Sequence, residues 1–397
     1  MQMDEFELRA WLRLILTPSI GNASARRLLT RFGSVQGVFD APLLQLMEVV
    51  SRAQAEALLQ TPVLLDAHIT RTLQWLSTKP NVLHTQRVLW HIGHPDYPEP
   101  LLHLADPPLL LYVEGQVQHT LGPAVAVVGS RNPTPQGRQT AVQFGRALAE
   151  AGICVVSGMA LGIDGASHQG ALQYVLPQSS RPSTTGLSRS RSNTSTWATV
   201  GIVGTGLDQV YPRHHQALAQ EVIARGVLIS EYPLGTPPLA ANFPQRNRLI
   251  AALGLGTLVV EAAMRSGSLI TARMALDMGR EVMAVPGSIH AMQSHGCHWL
   301  IRQGAKLVES VKDILEELQI PLYKDEGNNP ASGGPQQAPA PHPVLDQMGF
   351  TPISLDALQM HCKLETAALQ SELLSLELGG LVSRLPGGLF QRLGPAS

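Results

Sequence analysis

Between Ala124 and Pro286 the chain repeats one unit: a short apolar run, a turn rich in glycine and serine, then a stretch of helical period. The runs are Ala124 to Val128, Ile153 to Ser157, Thr199 to Val203, Val227 to Ser230, Leu258 to Glu261 and Glu281 to Val285. Apolar runs this short, bounded by turns, suit parallel strands buried on both faces. Strands alternating with helices predict an open, mainly parallel, doubly wound α/β sheet of Rossmann-like kind, whose ligands bind beyond the carboxyl ends of the strands. The turns Gly129-Ser130-Arg131, Gly158 to Gly165, Gly204-Thr205-Gly206, Arg265-Ser266-Gly267-Ser268 and Pro286-Gly287 all fall on that edge.

The stretch Phe243-Pro244-Gln245-Arg246-Asn247-Arg248-Leu249 gathers an aromatic, two guanidinium groups and an amide. Pro244 disfavours helix before it, while Asn247 to Leu255 reads as the first turns of an apolar helix. Arg246 and Arg248 are therefore expected in a loop or at a helix N-terminus, where backbone N–H groups also attract anions. No acidic residue lies between Tyr232 and Thr257 to pair with them locally. Gly129-Ser130-Arg131, after the first strand, offers amides, a hydroxyl and a third guanidinium, which suit a phosphate. Neither this turn nor Gly204-Thr205-Gly206 completes Gly-x-Gly-x-x-Gly, and no Walker A motif is present, so dinucleotide and ATP chemistry lose their strongest signals.

The chain has 397 residues, 44% hydrophobic and 15% charged, enough for two or three domains. With a net charge of −1, a nucleic-acid site must be a local basic cluster. Three scattered cysteines, Cys154, Cys297 and Cys362, argue against a disulfide framework and for a reducing compartment. Met1 to Leu14 carries Asp4, Glu5 and Glu7 where a signal peptide is basic, and no apolar run approaches the roughly 20 residues that span a bilayer. The expected location is the cytoplasm.

Glu7 to Leu59 reads as helical, broken at Pro18-Ser19-Ile20-Gly21. That break is compatible with a phosphate-holding helix-hairpin-helix turn and equally with plain helical packing. Arg87 to Gly115 is rich in proline and reads as a connection between domains. Pro177 to Thr196, with Arg181, Arg189 and Arg191 and no acid, reads as a flexible cationic insertion. After a linker from Asp325 to Pro343, Ser354 to His361 and Glu365 to Leu378 read as helix, turn, helix, followed by strands around Pro386-Gly387-Gly388, in winged-helix outline. Its second helix carries Glu365, Glu372 and Glu377 without an arginine, which favours protein contact over reading a duplex.

Two constellations suggest chemistry only weakly. Asp164 and His168 supply an acid and a base, but without a Gly-x-Ser-x-Gly elbow they read as a helix cap and a packed histidine. His295, Cys297 and His298 are half a metal site, with no second ligand pair at a suitable spacing. No metal is expected.

Val128-Gly129-Ser130-Arg131, Ser157 to Asp164 with His168, Gly206-Leu207-Asp208 with Tyr211-Pro212, Ser230-Glu231, Phe243 to Arg248, Ser266 to Thr271 and Val285-Pro286-Gly287 occur in an order that resembles the DNA-processing protein A family (DprA, also called Smf) across Tyr97 to Val308. The resemblance implies an extended Rossmann-like domain (86–322) between a helical, SAM/helix-hairpin-helix-like domain (1–85) and, past a linker (323–343), a winged-helix domain (344–397). It implies a homodimer that binds and protects single-stranded DNA and loads RecA recombinase on it during natural transformation, with single-strand-binding protein as a further partner, no cofactor and no enzyme activity. The DNA-binding residues it implies are Gly129, Ser130, Arg131, Phe243, Arg246, Asn247, Arg248, Ser266, Gly267 and Ser268. Two features depart from the family's pattern: the 177–196 insertion, where a tight connection is usual, and His298 in place of a common asparagine. The competing reading is a nucleotide-processing enzyme of the lysine-decarboxylase-like phosphoribohydrolase kind, from Gly256-Thr257 to Glu261, although the Pro-Gly-Gly lead-in of that group is absent.

Overall fold

The computed structural model describes residues 3–78, 80, 82, 84–174, 196–320 and 342–393. Nearly all of the predicted insertion and the linker lie outside these residues. The strands β1 (Gln86–His91), β2 (Leu110–Gly115), β3 (Ala124–Val128), β4 (Cys154–Ser157), β5 (Thr199–Ile202), β6 (Val227–Ser230), β7 (Gly256–Val259), β8 (Glu281–Ala284) and β9 (Lys306–Leu307) form one sheet in the order β1-β2-β6-β5-β4-β3-β7-β8-β9. From β6 to β9 every neighbouring pair is parallel, whereas β2 runs antiparallel to both β1 and β6. The region read as a proline-rich connection thus supplies two strands. Leu110 to Gly115 is buried at every position and extends the parallel sheet past β6, while the prolines sit in the segment between β1 and β2, with Pro100 in the first turn of a short helix there.

Six helices precede the sheet: α1 (Glu5–Leu16), α2 (Asn22–Phe32), α3 (Val35–Asp40), α4 (Leu43–Met47), α5 (Arg52–Leu59) and α6 (Leu65–Ser77). The first five share a core of Trp11, Leu14, Leu28, Leu46 and Leu58, while Leu65, Ile69 and Trp75 of α6 pack with Leu8 and Leu12 of α1 against β2. Gly21 is exposed at the turn before α2. Asn22 and Arg26, at the start of α2, donate to the Asp106 carboxylate (3.2 Å) and the Ala105 carbonyl (2.5 Å).

Around the sheet run α7 (Glu99–Leu102), α8 (Pro135–Glu150), α9 (Ile163–Gln173), α10 (Gln216–Arg225), α11 (Asn242–Leu253), α12 (Ser268–Asp277), α13 (His295–Arg302) and α14 (Val311–Glu317). The pleat of β3 sorts them. Ala124, Ala126 and Val128 join the core with Leu249, Ile250 and Ala272 of α11 and α12, whereas Val125 and Val127 join Phe144, Leu148 and Ile163 of α8 and α9. Alternate residues of an all-apolar strand thus serve opposite faces. The backbones of α8 and α9 nearly touch: a Cβ on Gly170 would stand 2.0 Å from the Val142 carbonyl oxygen, and one on Gly145 2.2 Å from that of Ser167.

The last unit comprises α15 (Pro343–Met348), β10 (Ile353–Ser354), α16 (Leu355–Cys362), α17 (Thr366–Leu378), β11 (Val382–Leu385) and β12 (Leu389–Arg392) around a core of Leu358, Leu369, Leu373 and Phe390. It is a winged helix. Its β12 meets the large domain at Gln391, whose Nε2 lies 2.9 Å from Gln136 Oε1 on α8.

Candidate nucleic-acid interface

Chain order leaves β3 in mid-sheet: β4, β5 and β6 are added on one side of it, and β7 to β9 on the other. The turns after β3 and β7 therefore diverge, and the crevice between them is the place where open α/β sheets bind ligands. A cleft of about 680 Å³ occupies it. Of the expected residues, Gly129, Ser130, Arg131, Phe243, Arg246, Asn247, Ser266, Gly267 and Ser268 line it; Arg248 does not.

Two exposed arginines on this cleft remain uncommitted. No ion pair engages Arg131 or Arg265 among the described residues, and the Arg131 guanidinium lies 5.6 Å from the centre of the Phe243 ring. Phe243 leans in turn on Tyr211, with ring centres 5.4 Å apart. Its placement follows from Asn242, which donates to the Gly204 carbonyl (3.0 Å). A cation and two aromatic rings thus line one side, the combination that holds unstacked bases beside a phosphate chain. On the other side α12 opens with Gly267 and Ser268 and carries no acid in its first turn. Ser266 Oγ and Ser268 Oγ lie 2.7 Å apart. The first amides of α12 are held within the turn, Ser268 N–H by Ser266 Oγ (3.3 Å), Leu269 N–H by the Ser266 carbonyl (3.2 Å) and Ile270 N–H by the Gly267 carbonyl (3.1 Å), so this side offers a phosphate the helix dipole and two hydroxyls.

The turn after β3 differs from expectation in one respect: its amides are largely taken. Ser130 N–H donates to the Glu261 carbonyl (2.6 Å), Asn132 N–H to Ser130 Oγ (3.1 Å) and Thr134 N–H to a Glu261 carboxylate oxygen (2.9 Å). The Arg131 side chain is left as this turn's offer to an anion.

Arg246 and Arg248 are both helical, because α11 begins at Asn242 and Pro244 sits in its first turn, where a missing N–H is tolerated. Arg246 forms the floor of the cleft and is 3% exposed. It donates to the carbonyls of Gly158 (2.6 Å) and Ile202. Its Nε has no hydrogen-bond partner among the described residues. Burial lowers its pKa to about 10, against the opposing pull of the Asp164 carboxylate. Asp164 accepts the N–H groups of Gly158 and Ala160 in place of capping α9, and burial pushes its carboxyl up. Gly158 must lack a side chain, since a Cβ there would stand 2.6 Å from Asp164 Oδ2. Arg248 pairs with Glu231, with both side chains largely buried. The local lack of acids does not leave these arginines free, because their partners arrive from elsewhere in the chain: Glu231, just past β6, for Arg248, and the carbonyls of Gly158 and Ile202 for Arg246.

His168 is fully buried below the cleft and does not line it. Thr199 Oγ1 donates to the Val155 carbonyl (2.8 Å), so it accepts from His168 Nδ1–H at 2.7 Å, and burial lowers the imidazole pKa to about 3. Asp164 and His168 thus share no reaction centre. Cys297 is buried against Val259 and Val260, His298 Nε2 lies 3.0 Å from the Gly287 carbonyl oxygen, and no group of metal-ligating side chains is found among the described residues. Arg265, Tyr211 and Asn132 line the cleft beyond the expected set. Arg265 was signalled by its place beside Ser266-Gly267-Ser268; Asn132 carried no signal of its own.

Fold and cleft define a doubly wound α/β protein with a crevice suited to phosphate and base and with a winged helix appended. The chain belongs to the DNA recombination-mediator protein A (DprA/Smf) family: that family's model matches residues 88–319, and the DprA winged helix domain matches residues 328–388. It is 38% identical to Protein Smf of Escherichia coli over 95% of this chain and 94% of that one, and 41% identical to the DNA processing protein DprA of Streptococcus pneumoniae over 56% and 72%. The crystal structure of the latter superposes with a TM-score of 0.61 at 33% identity, covering 80% of this chain and 99% of that one. No helix among the described residues is long and apolar enough to cross a membrane.

Proposed function

We propose that the cleft binds single-stranded DNA through its backbone, with one base resting on the aromatic side, and that the bound strand is passed to RecA recombinase during DNA uptake and recombination in the cytoplasm. The observation that carries this reading is the uncommitted Arg131 stacked on Phe243, which leans on Tyr211, opposite the acid-free first turn of α12. Arg131, Arg265 and the α12 N-terminus hold phosphates, Phe243 and Asn247 meet a base, and the buried Arg246 shapes the floor. A homodimer is supported by exposed apolar side chains around β9, where Leu307, Ile289 and Met264 line one shallow depression. The winged helix serves protein contact, because α17 exposes Glu372, Glu377, Leu374 and Leu378.

Titration of single- and double-stranded oligonucleotides across a salt series, beside an assay for nucleotide hydrolysis, tests the reading. Strand preference without turnover is expected. Equal affinity for duplex, or release of base from a nucleotide, overturns it. A phosphoribohydrolase role gains no support from Glu261, whose carboxylate is spent on Thr134.

A further inference from the structure

Glu261 contributes nothing to the wall of the DNA cleft, yet it holds the turn that carries Arg131 at three points. Its carbonyl oxygen accepts Ser130 N–H (2.6 Å). One carboxylate oxygen accepts Thr134 N–H (2.9 Å) and the other accepts the Thr134 hydroxyl (2.5 Å). Thr134 is the N-cap of α8, its Oγ1 accepting Gly137 N–H at 3.0 Å. The carboxylate therefore sits over the first turn of α8, where the helix dipole favours a negative charge. The fit is close: a Cβ on Gly137 would stand 2.2 to 2.5 Å from its carboxyl atoms.

This placement has two consequences. The N-terminus of the first helix after a central strand, a ready anion site in folds of this type, is filled from within the protein, so DNA phosphate is excluded there. Meanwhile residues 130–134 are clamped at both ends, with Arg131 at the crest between the clamps. An arginine side chain has many rotamers and binds well only if its backbone anchor is fixed, since ordering it on binding is costly. The carboxyl's pKa is raised by burial, and the Thr134 hydrogen bonds oppose that rise. On the side away from the cleft, Glu261 lines a second cavity, closed by Phe350 and Gln391 of the winged helix.

We propose that Glu261 is a positioning residue for single-stranded DNA binding: through Thr134 it fixes the turn that presents Arg131 to phosphate, and it does not touch DNA itself. This rests on the reading of Arg131 as a phosphate ligand.

The test is a double-mutant cycle on the full chain, measuring affinity for a short oligothymidine and its salt dependence for Glu261→Gln, Thr134→Val, Thr134→Ser, Arg131→Ala and Glu261→Gln combined with Arg131→Ala. Glu261→Gln and Thr134→Val should each weaken binding about fivefold, while Thr134→Ser, which keeps the hydroxyl, should bind like the wild type. In the Arg131→Ala background Glu261→Gln should change affinity less than twofold. Glu261→Gln should also flatten the slope of log K against log salt by about 0.7, the increment of one lost phosphate contact on a single strand. A general loss of folded protein lowers the active fraction and leaves the slope alone. If Arg131→Ala weakens binding and Glu261→Gln then adds its full loss, the inference falls and the reading of Arg131 stands. If Arg131→Ala leaves affinity and slope intact, both fall.

Discussion

The three arginines expected to act alike differ in what surrounds them, and their substitutions should separate. Arg131 is exposed and stacked on Phe243. Arg131→Ala should cost about 1.5 to 3 kcal/mol of single-strand affinity, the range for a charge-assisted hydrogen bond, with urea stability unchanged within about 0.5 kcal/mol. Arg131→Lys keeps the charge without the fork and should recover part of the loss. Arg246→Ala leaves two buried carbonyls without their donor and removes the positive charge that offsets the buried Asp164 carboxyl, so urea denaturation should show a loss of about 3 to 5 kcal/mol. Unchanged stability in Arg246→Ala would mean that the floor is not held in this way. His168 adds a pH dependence. Its pKa falls from about 6.5 unfolded to about 3 folded, so over that window the unfolded state binds more protons and stability rises with pH. The wild type should therefore lose about 1.4 kcal/mol per pH unit, relative to His168→Gln, as pH falls below about 6.5. Residue types and loop positions were legible in the sequence here. The fates of Arg246 and Arg248 were not, because Asp164 and Glu231 reach them only through the strand order.

Helices and strands were read with uneven success, for physical reasons. Runs such as Ala124 to Val128 admit one reading, being too short for a buried helix and apolar at every position. The start of α11 was misplaced because Pro244 breaks a helix only beyond its first turn, and sequence alone did not show where that turn began. Strands β1 and β2 were hidden by the five prolines around them, which terminate strands but do not preclude them. The fit of α8 against α9 gives the prediction at this scale. Gly170→Ala forces the backbones apart, because its Cβ would meet the Val142 carbonyl at 2.0 Å. A loss of about 1 to 3 kcal/mol is expected from overpacking, seen as a lower urea midpoint, with the affinity of the folded fraction for single-stranded DNA intact.

For the whole molecule, a net charge of −1 means that long-range steering contributes little, and binding depends on what the cleft itself presents. With roughly 3 to 5 phosphates neutralised per protomer, log K against log salt should fall with a slope of about −2 to −3.5 for single strands. A slope near zero would show that the cleft is not the phosphate track. The order of the pieces, helical front, doubly wound middle and winged-helix tail, could be read from changes of hydrophobic period. How the winged helix rests on α8 through Gln391 could not, since one amide pair leaves no pattern in a sequence. The strand order bears finally on how the chain is made. β3 pairs with β4 soon after synthesis, but its other neighbour, β7, lies more than a hundred residues further on. Until Gly256–Val259 has left the ribosome, the most apolar strand of the sheet is a bare edge, open to pairing with another nascent chain. Aggregation of unfinished chains, more than any weakness of the finished fold, should limit the yield of this protein when translation is slow.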